Sequence, residues 1–310
     1  MALKANKVLF IAAKLAISSA LLYFVLRKTG IEQVLLTLRS MSFFSFIAAV
    51  ALYFVSQVIS TVRWKLLLPE AIGIRKVFSL YMIGAFFNTL LPGVIGGDAV
   101  KGFYLYQLTG KGSMSLASVF MDRYIGFIAL ITLCAFAFPF GYKYLAGSHL
   151  EWLLPIVVFS FIIASFLIFG LRLGRKMRLL SEFYVYFHAY RNQARIIWQA
   201  FALSVLLQLV IIFAVYVLAL GMEQRFPFLA FLIFLPLIIL FTMIPISISG
   251  LGVRESAFVL FFGLIGMKPE VATALSLLWF LAVTAASLIG LIEYIKYKKE
   301  RTSPDSVENR

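Results

Sequence analysis

The chain is a succession of apolar runs, each close in length to the ~20 residues that a helix needs to cross a bilayer. No other feature restricts its fold as much. Val8–Leu26, Phe43–Val62, Ser118–Phe138, Trp152–Leu171, Trp198–Leu220 and Val271–Ile295 read as full spans. Backbone groups have no water to bind in hydrocarbon, so each run must satisfy its own hydrogen bonds as a helix. Apolar residues make up 63% of the sequence against 13% charged, and mean hydropathy is +1.00. A soluble chain of 310 residues could not hide that much apolar surface. The sequence predicts an all-α polytopic membrane protein.

The net charge of +15 would fit a nucleic-acid partner if the bases clustered on a soluble domain. Instead they fall in the short segments between apolar runs, where they orient a chain in the membrane. The expected partner is therefore the lipid membrane, with no nucleic acid. The single cysteine, Cys134, lies in an apolar run, and the only histidines are His149 and His188. That inventory excludes an intrachain disulfide and a zinc site of the usual spacing. No metal and no cofactor are expected.

Two further apolar runs are interrupted. Val77–Leu91 runs into Asn88–Lys111, reading NTLLPGVIGGDAVKGFYLYQLTGK, where Pro92, Gly93, Gly96 and Gly97 precede Asp98 and Lys101. Proline removes a backbone donor and glycine loosens the helix, so the helix stops here. Broken helices at membrane depth occur where protein or a water-filled cavity covers them. Phe226–Met243 likewise runs into PISISGLGVRE, with Pro245, Gly250 and Gly252 ahead of Arg254 and Glu255, followed by a short apolar segment, Ser256–Ile265. Each interruption reads either as an interfacial turn or as the tip of a re-entrant hairpin.

Charge decides between them. Arg63, Lys65, Arg75 and Lys76, then Arg172–Arg195, then Lys296, Lys298, Lys299 and Arg301 are the basic segments. A complete crossing at Val77–Ile95 would leave the Arg172–Arg195 segment outside, against the positive-inside rule. Re-entrant hairpins place every basic segment but the first loop inside. The predicted architecture is about six full spans plus two re-entrant helical hairpins in an inverted repeat. Residues 1–171 form a first membrane repeat and 172–197 a basic cytoplasmic connector. Residues 198–295 form the second repeat and 296–310 a disordered cytoplasmic tail. Both termini are cytoplasmic, in a multi-pass protein of the cell membrane. The connector reads as an amphipathic helix on the membrane surface or as a solvated link; both fit its pattern.

At one fixed offset Pro92 pairs with Pro245, Gly97 with Gly250, Val100 with Val253, Lys101 with Arg254 and Gly110 with Gly263. Opposed hairpins of this kind form the midplane site of many transporters. The candidate substrate-binding residues are Asn88, Asp98, Lys101, Asp122, Arg123, Arg254 and Glu255, with Asp122–Arg123 at the opening of the Ser118–Phe138 span. Two bases near helix ends suit an anionic group such as a lipid phosphate. The acids beside them either shape that site or simply neutralise the bases.

The strings LLPGVIGGDAVKGFYLY, ASVFMDRYIG and PISISGLGVRESAF resemble the membrane domain of the lysylphosphatidylglycerol synthase/flippase family, over nearly the whole chain. The positions that match its motifs are Pro92, Gly96, Gly97, Asp98, Lys101, Asp122, Arg123, Gly250, Gly252, Arg254 and Glu255. The resemblance implies a flippase-like protein that binds a polar lipid and moves it between leaflets. That lipid is an anionic or lysylated phospholipid, or a polyprenyl-linked one. In bifunctional members a soluble C-terminal domain transfers lysine to phosphatidylglycerol. This sequence ends fifteen residues after its last span, so lysyl transfer is not expected and the chain reads as a transporter before an enzyme. The alternatives are an enzyme or component of lipid modification, and a non-catalytic accessory to a synthase; a homo-oligomer is left open.

Overall fold

A computed structural model describes residues 2–68, 71–90, 96–167, 193–243, 247 and 250–302, without the side chains of residues 2–15, 90 and 300–302. Pro92, Gly93 and Pro245 lie outside the described residues, as do most of the basic connector and residues 303–310. The described residues are helical and contain no strand. In chain order the helices are α1 (Ala2–Thr29), α2 (Ile31–Arg39), α3 (Phe43–Leu66), α4 (Ile74–Leu90), α5 (Gly96–Thr109) and α6 (Gly112–Gly141). They continue with α7 (Leu153–Ser165), α8 (Ala194–Gly221), α9 (Phe228–Thr242), α10 (Val253–Gly263) and α11 (Pro269–Thr302), and two short 3-10 turns separate α6 from α7.

Among the described residues four helices are long and apolar enough to cross a membrane: α3, α6 with its following turn, α8 and α11. Two shorter apolar helices, His149–Ser165 and Phe228–Thr242, accompany them. Large apolar side chains face outward, such as Phe44 at 85% exposure and Phe136 at 72%. That is the pattern of helices solvated by lipid.

Several boundaries differ from the sequence reading. Arg63, expected in a loop, lies within α3, which runs on to Leu66. The Asp122–Arg123 pair does not open its helix, because α6 begins at Gly112 and places the pair in its interior. Arg39, between the first two apolar runs, ends α2, a short amphipathic helix that packs on α11 through buried Val34. α11 continues through Thr302, so residues 296–302 are helical and not disordered. At α3 and α11 the helix keeps going past the last apolar residue, since Lys and Arg are good helix formers and a buried partner or water can hold their charge.

The helices on either side of each broken segment pack together as a helical hairpin. α4 packs against α5, and α9 against α10. Tyr297 near the end of α11 touches both ends of the first hairpin's base: Lys76 Nζ lies 5.4 Å from its ring centre, and Tyr104 of α5 lies 5.0 Å away, ring to ring. The first hairpin therefore starts and returns at the C-terminal end of α11. The second starts and returns near the other end, where Phe231 of α9 meets Phe262 of α10 at 4.8 Å, just before α11 begins at Pro269.

Glycine permits the close approaches that this arrangement needs. A Cβ on Gly97 would collide with the Gly84 carbonyl and with Asn88, so α5 crosses α4 backbone to backbone. A Cβ on Gly290 would collide with the Met82 carbonyl, which brings α11 equally close to α4.

Candidate functional site

The two hairpin tips meet at a cavity of about 350 Å³. From the first tip come Asn88 and Thr89 at the end of α4, with Asp98 and Lys101 at the start of α5; from the second come Thr242 and Met243 at the end of α9, with Arg254 at the start of α10. α3, α6, α8 and α11 close the walls.

Local structure explains why these ends are stable in a dry interior. The first N–H groups of a helix lack intrahelical partners. In α5, Asn88 reaches across from α4, and its Oδ1 accepts from the Gly97 N–H at 2.8 Å. In α10, Gly252 at φ 82° and Gly250 at φ 76° supply left-handed turns that a side chain would strain. Glu255 Oε2 then accepts from the Gly252 N–H at 2.6 Å. This is one half of a capping box.

Five charged side chains alternate along one wall. Arg63 Nε donates to Asp122 Oδ1 at 2.9 Å, and Lys101 Nζ to Asp122 Oδ2 at 3.0 Å. Lys101 also lies 3.8 Å from Asp98 Oδ1, and Arg123 Nε donates to Asp98 Oδ2 at 2.5 Å. Asp122 and Arg63 are buried, at 0% and 4% exposure. Two aromatic rings support the ammonium: Lys101 Nζ sits 4.4 Å from the ring centres of both Trp64 and Tyr81. Arg63 Nη1 donates to Ser204 Oγ at 3.0 Å, and a Cβ on Gly126 would lie 3.1 Å from that same nitrogen. The small residue makes room for the guanidinium.

Across the cavity Arg254 is held by its neighbour. Its Nη2 donates to Glu255 Oε1 at 2.6 Å, its Nε to Ser276 Oγ at 2.9 Å, and its guanidinium carbon lies 4.8 Å from the Phe280 ring centre. Glu255 is itself buried, at 0% exposure. The lining holds four bases, Arg63, Lys101, Arg123 and Arg254, against two acids, Asp98 and Asp122. Once Glu255 is set against Arg254, one positive charge remains. It is best assigned to Arg123, whose side chain is 37% exposed and whose bond to Asp98 uses only Nε. One acceptor also lines the cavity without a donor: Gln208 Oε1 is buried and has no hydrogen-bond partner among the described residues.

Of the candidates read from sequence, Asn88, Asp98, Lys101, Asp122, Arg123 and Arg254 line this one cavity, while Glu255 stands behind Arg254. Gly96 and Gly97 open α5, Gly250 lies between α9 and α10, and Gly252 caps α10. Sequence reasoning missed Tyr53, Gln57, Ser60 and Arg63 on α3 and Gln208 on α8, all of which line the cavity. Their signal was present as polar residues in steps of four, three and three along an apolar helix, which put them on one face. Ser204 and Gln208 repeat the sign at one four-residue step. Polar side chains inside a span point to the protein interior or to a water-filled path.

A profile of the lysylphosphatidylglycerol synthase TM region matches residues 11–290. A UPF0104 membrane protein of Methanocaldococcus jannaschii is 22% identical over 320 residues, covering 92% of this chain and 94% of that protein. One from Methanothermobacter thermautotrophicus is 23% identical over 260 residues, or 73% of this chain and 77% of the relative. A Pyrococcus horikoshii relative is 31% identical over a shorter stretch of 140 residues, 43% of this chain and 41% of that protein. With all but the ends of the chain inside the match, this multi-pass membrane protein belongs to the lysylphosphatidylglycerol synthase TM-region family.

Proposed function

We propose that the protein binds the anionic head group of a membrane lipid in the central cavity and carries it from one leaflet to the other. The observation that carries this reading is the surplus positive charge of the cavity at the meeting point of the two hairpin tips. A charge in the membrane interior is costly and is kept where it handles a substrate or an ion. Here all four bases are paired, but with only three acids, which leaves one positive charge to be met by a ligand. A phosphate group fits that vacancy in charge and in its match to a guanidinium fork. A lysylated head group brings its own ammonium groups and fits less well.

Volume supports binding of a head group and not of a whole lipid. About 350 Å³ lies at the small end of ligand pockets, so the acyl chains would stay in the bilayer. The hairpins enter from opposite ends of α11. This supports the reading of two re-entrant hairpins in an inverted repeat, a device that exposes one site to each side in turn. With the basic ends of α3 and α11 turned inward by the positive-inside rule, this reading keeps both termini cytoplasmic.

The test is leaflet exchange in liposomes reconstituted with the purified protein, using head-group-labelled phosphatidylglycerol and its lysyl ester. Arg123→Gln is the informative variant, because its side chain is the most exposed of the four bases and its partner Asp98 keeps Lys101 at 3.8 Å. Exchange of phosphatidylglycerol should fall at least about tenfold, the loss of one charge-assisted contact. Absence of exchange in the wild type, or equal exchange in the variant, would overturn the reading.

A further inference from the structure

A second hollow, of about 710 Å³, opens on a different face of the same helices. Where Tyr53, Gln57 and Ser60 of α3 line the central cavity, Phe54, Val58 and Thr61 line this one. It is a groove between α3, α4 and the C-terminal end of α11. Its walls are apolar and reachable from outside: Val58 is 38% exposed and Val62 41%. Phe54 and Phe78, 6.3 Å apart, form its floor edge to edge.

One end of the groove is basic. Arg75 and Lys76 stand in the first turn of α4, and Lys296 reaches over from α11. The lining includes one acid, Glu293, which lies 3.6 Å from Lys296. Three bases against one acid leave a surplus of two positive charges, and the N-terminus of α4 adds its own positive dipole end. Tyr297 closes this end beneath Lys76. An aromatic ring with a polar edge beside lysine is the usual furniture of the membrane–water boundary.

We propose that this groove holds an anionic phospholipid as a resident ligand, separate from the lipid handled in the central cavity. Charge complementarity sets the head group, since basic pockets between spanning helices select anionic lipids. The apolar walls set the remainder, because a soluble anion has no use for Phe54, Val58 and Val62. A purely apolar occupant has no use for Arg75, Lys76 and Lys296. The lipid wedges α4 against α3 and α11, the three helices that also present Asn88, Gln57 and Trp279 to the cavity. Its presence therefore steadies the first hairpin.

The proposal is tested by native mass spectrometry of the delipidated full-length protein titrated with dioleoyl-phosphatidylglycerol or dioleoyl-phosphatidylcholine. The wild type should retain phosphatidylglycerol in preference to phosphatidylcholine. Arg75→Gln/Lys76→Gln/Lys296→Gln should weaken the retained lipid by roughly a hundredfold, at about fivefold for each base near the membrane surface. Val58→Trp fills the apolar slot with every charge intact and should lower occupancy as well, whereas Arg123→Gln, in the other cavity, should leave this lipid in place. Equal retention of the two lipids would overturn the proposal, as would full retention by the triple variant. Full retention by Val58→Trp would reduce the effect to diffuse surface charge. Loss of all retained phosphatidylglycerol on Arg123→Gln would assign the lipid to the central cavity.

Discussion

The charged wall makes a quantitative prediction through Asp122→Asn. Asp122 is fully buried and serves two cations, Arg63 at 2.9 Å and Lys101 at 3.0 Å. Removing one partner of a buried ion pair costs about 3–5 kcal/mol, because the other charge is left unpaired. Asparagine keeps the volume and one acceptor oxygen, so the shape survives and the charge is lost. Lys101 can fall back on Asp98 and on the two rings 4.4 Å away. Among the described residues Arg63 has only Ser204 left. The stranded group is thus Arg63, and the expected destabilisation is about 3 kcal/mol, at the low end of that range. For a chain of this size that lowers Tm by about 6 °C.

The assay is thermal unfolding of the purified protein in one detergent, followed by tryptophan fluorescence, for Arg63→Gln, Asp122→Asn and the double variant. If the cost comes from an unpaired buried charge, the second substitution relieves the first. The double variant should then be less unstable than the sum of the singles, with a coupling of about 2 kcal/mol, as for contacting residues. Additivity within about 0.5 kcal/mol, the behaviour of independent sites, would refute the reasoning and reduce Arg63 to an ordinary helix residue.

Two further substitutions separate packing from ligand handling. Gly97→Ala forces a methyl into the Gly84 carbonyl and Asn88 and should cost about 1–3 kcal/mol of overpacking strain. Gly102→Ala meets only the Val119 side chain, at 3.6 Å, and should be neutral or stabilising by up to ~1 kcal/mol; the same unfolding assay compares them. Gln208→Leu removes the unpartnered acceptor, so stability should rise by about 1–2 kcal/mol while lipid exchange falls. A loss of both together would mean that Gln208 is held by the fold and not kept for a ligand.

The arrangement also accounts for how the site tolerates so much charge in an apolar protein. No buried base in the wall stands alone: Arg63 shares Asp122 with Lys101, and Lys101 is further cushioned by Trp64 and Tyr81. The acids are in turn anchored to different helices, Asp98 to α5 and Asp122 to α6. The network therefore ties the first hairpin to the spanning helices. A shift of the hairpin that separated Lys101 from Asp122 would leave charge unpaired, which gives the cavity a small number of allowed arrangements and not a continuum.

The sequence by itself settles the solvent and the class of fold. Runs of apolar residues as long as those of α3, α6, α8 and α11 have to be helices in lipid, because local hydrogen bonds alone can satisfy their backbone there. The glycines that open α5 and cap α10 are legible for a related reason: their roles depend on φ and on the missing Cβ, which are properties of one residue. Asp98, Lys101 and Arg254 stand out because charge is rare in such runs.

Which charges meet is a different matter. Arg63 looks like an orienting base after a span until α3 proves longer than its apolar run and packs beside α6, which turns the same residue inward onto Asp122. Glu255 looks like a site residue until its two oxygens are found occupied by Gly252, Arg254 and Ser276. Partners that lie fifty-nine residues apart, as Arg63 and Asp122 do, leave no mark on local propensity or periodicity. Only the tertiary structure decides them, because a buried charge takes its meaning from whichever opposite charge the packing brings within reach.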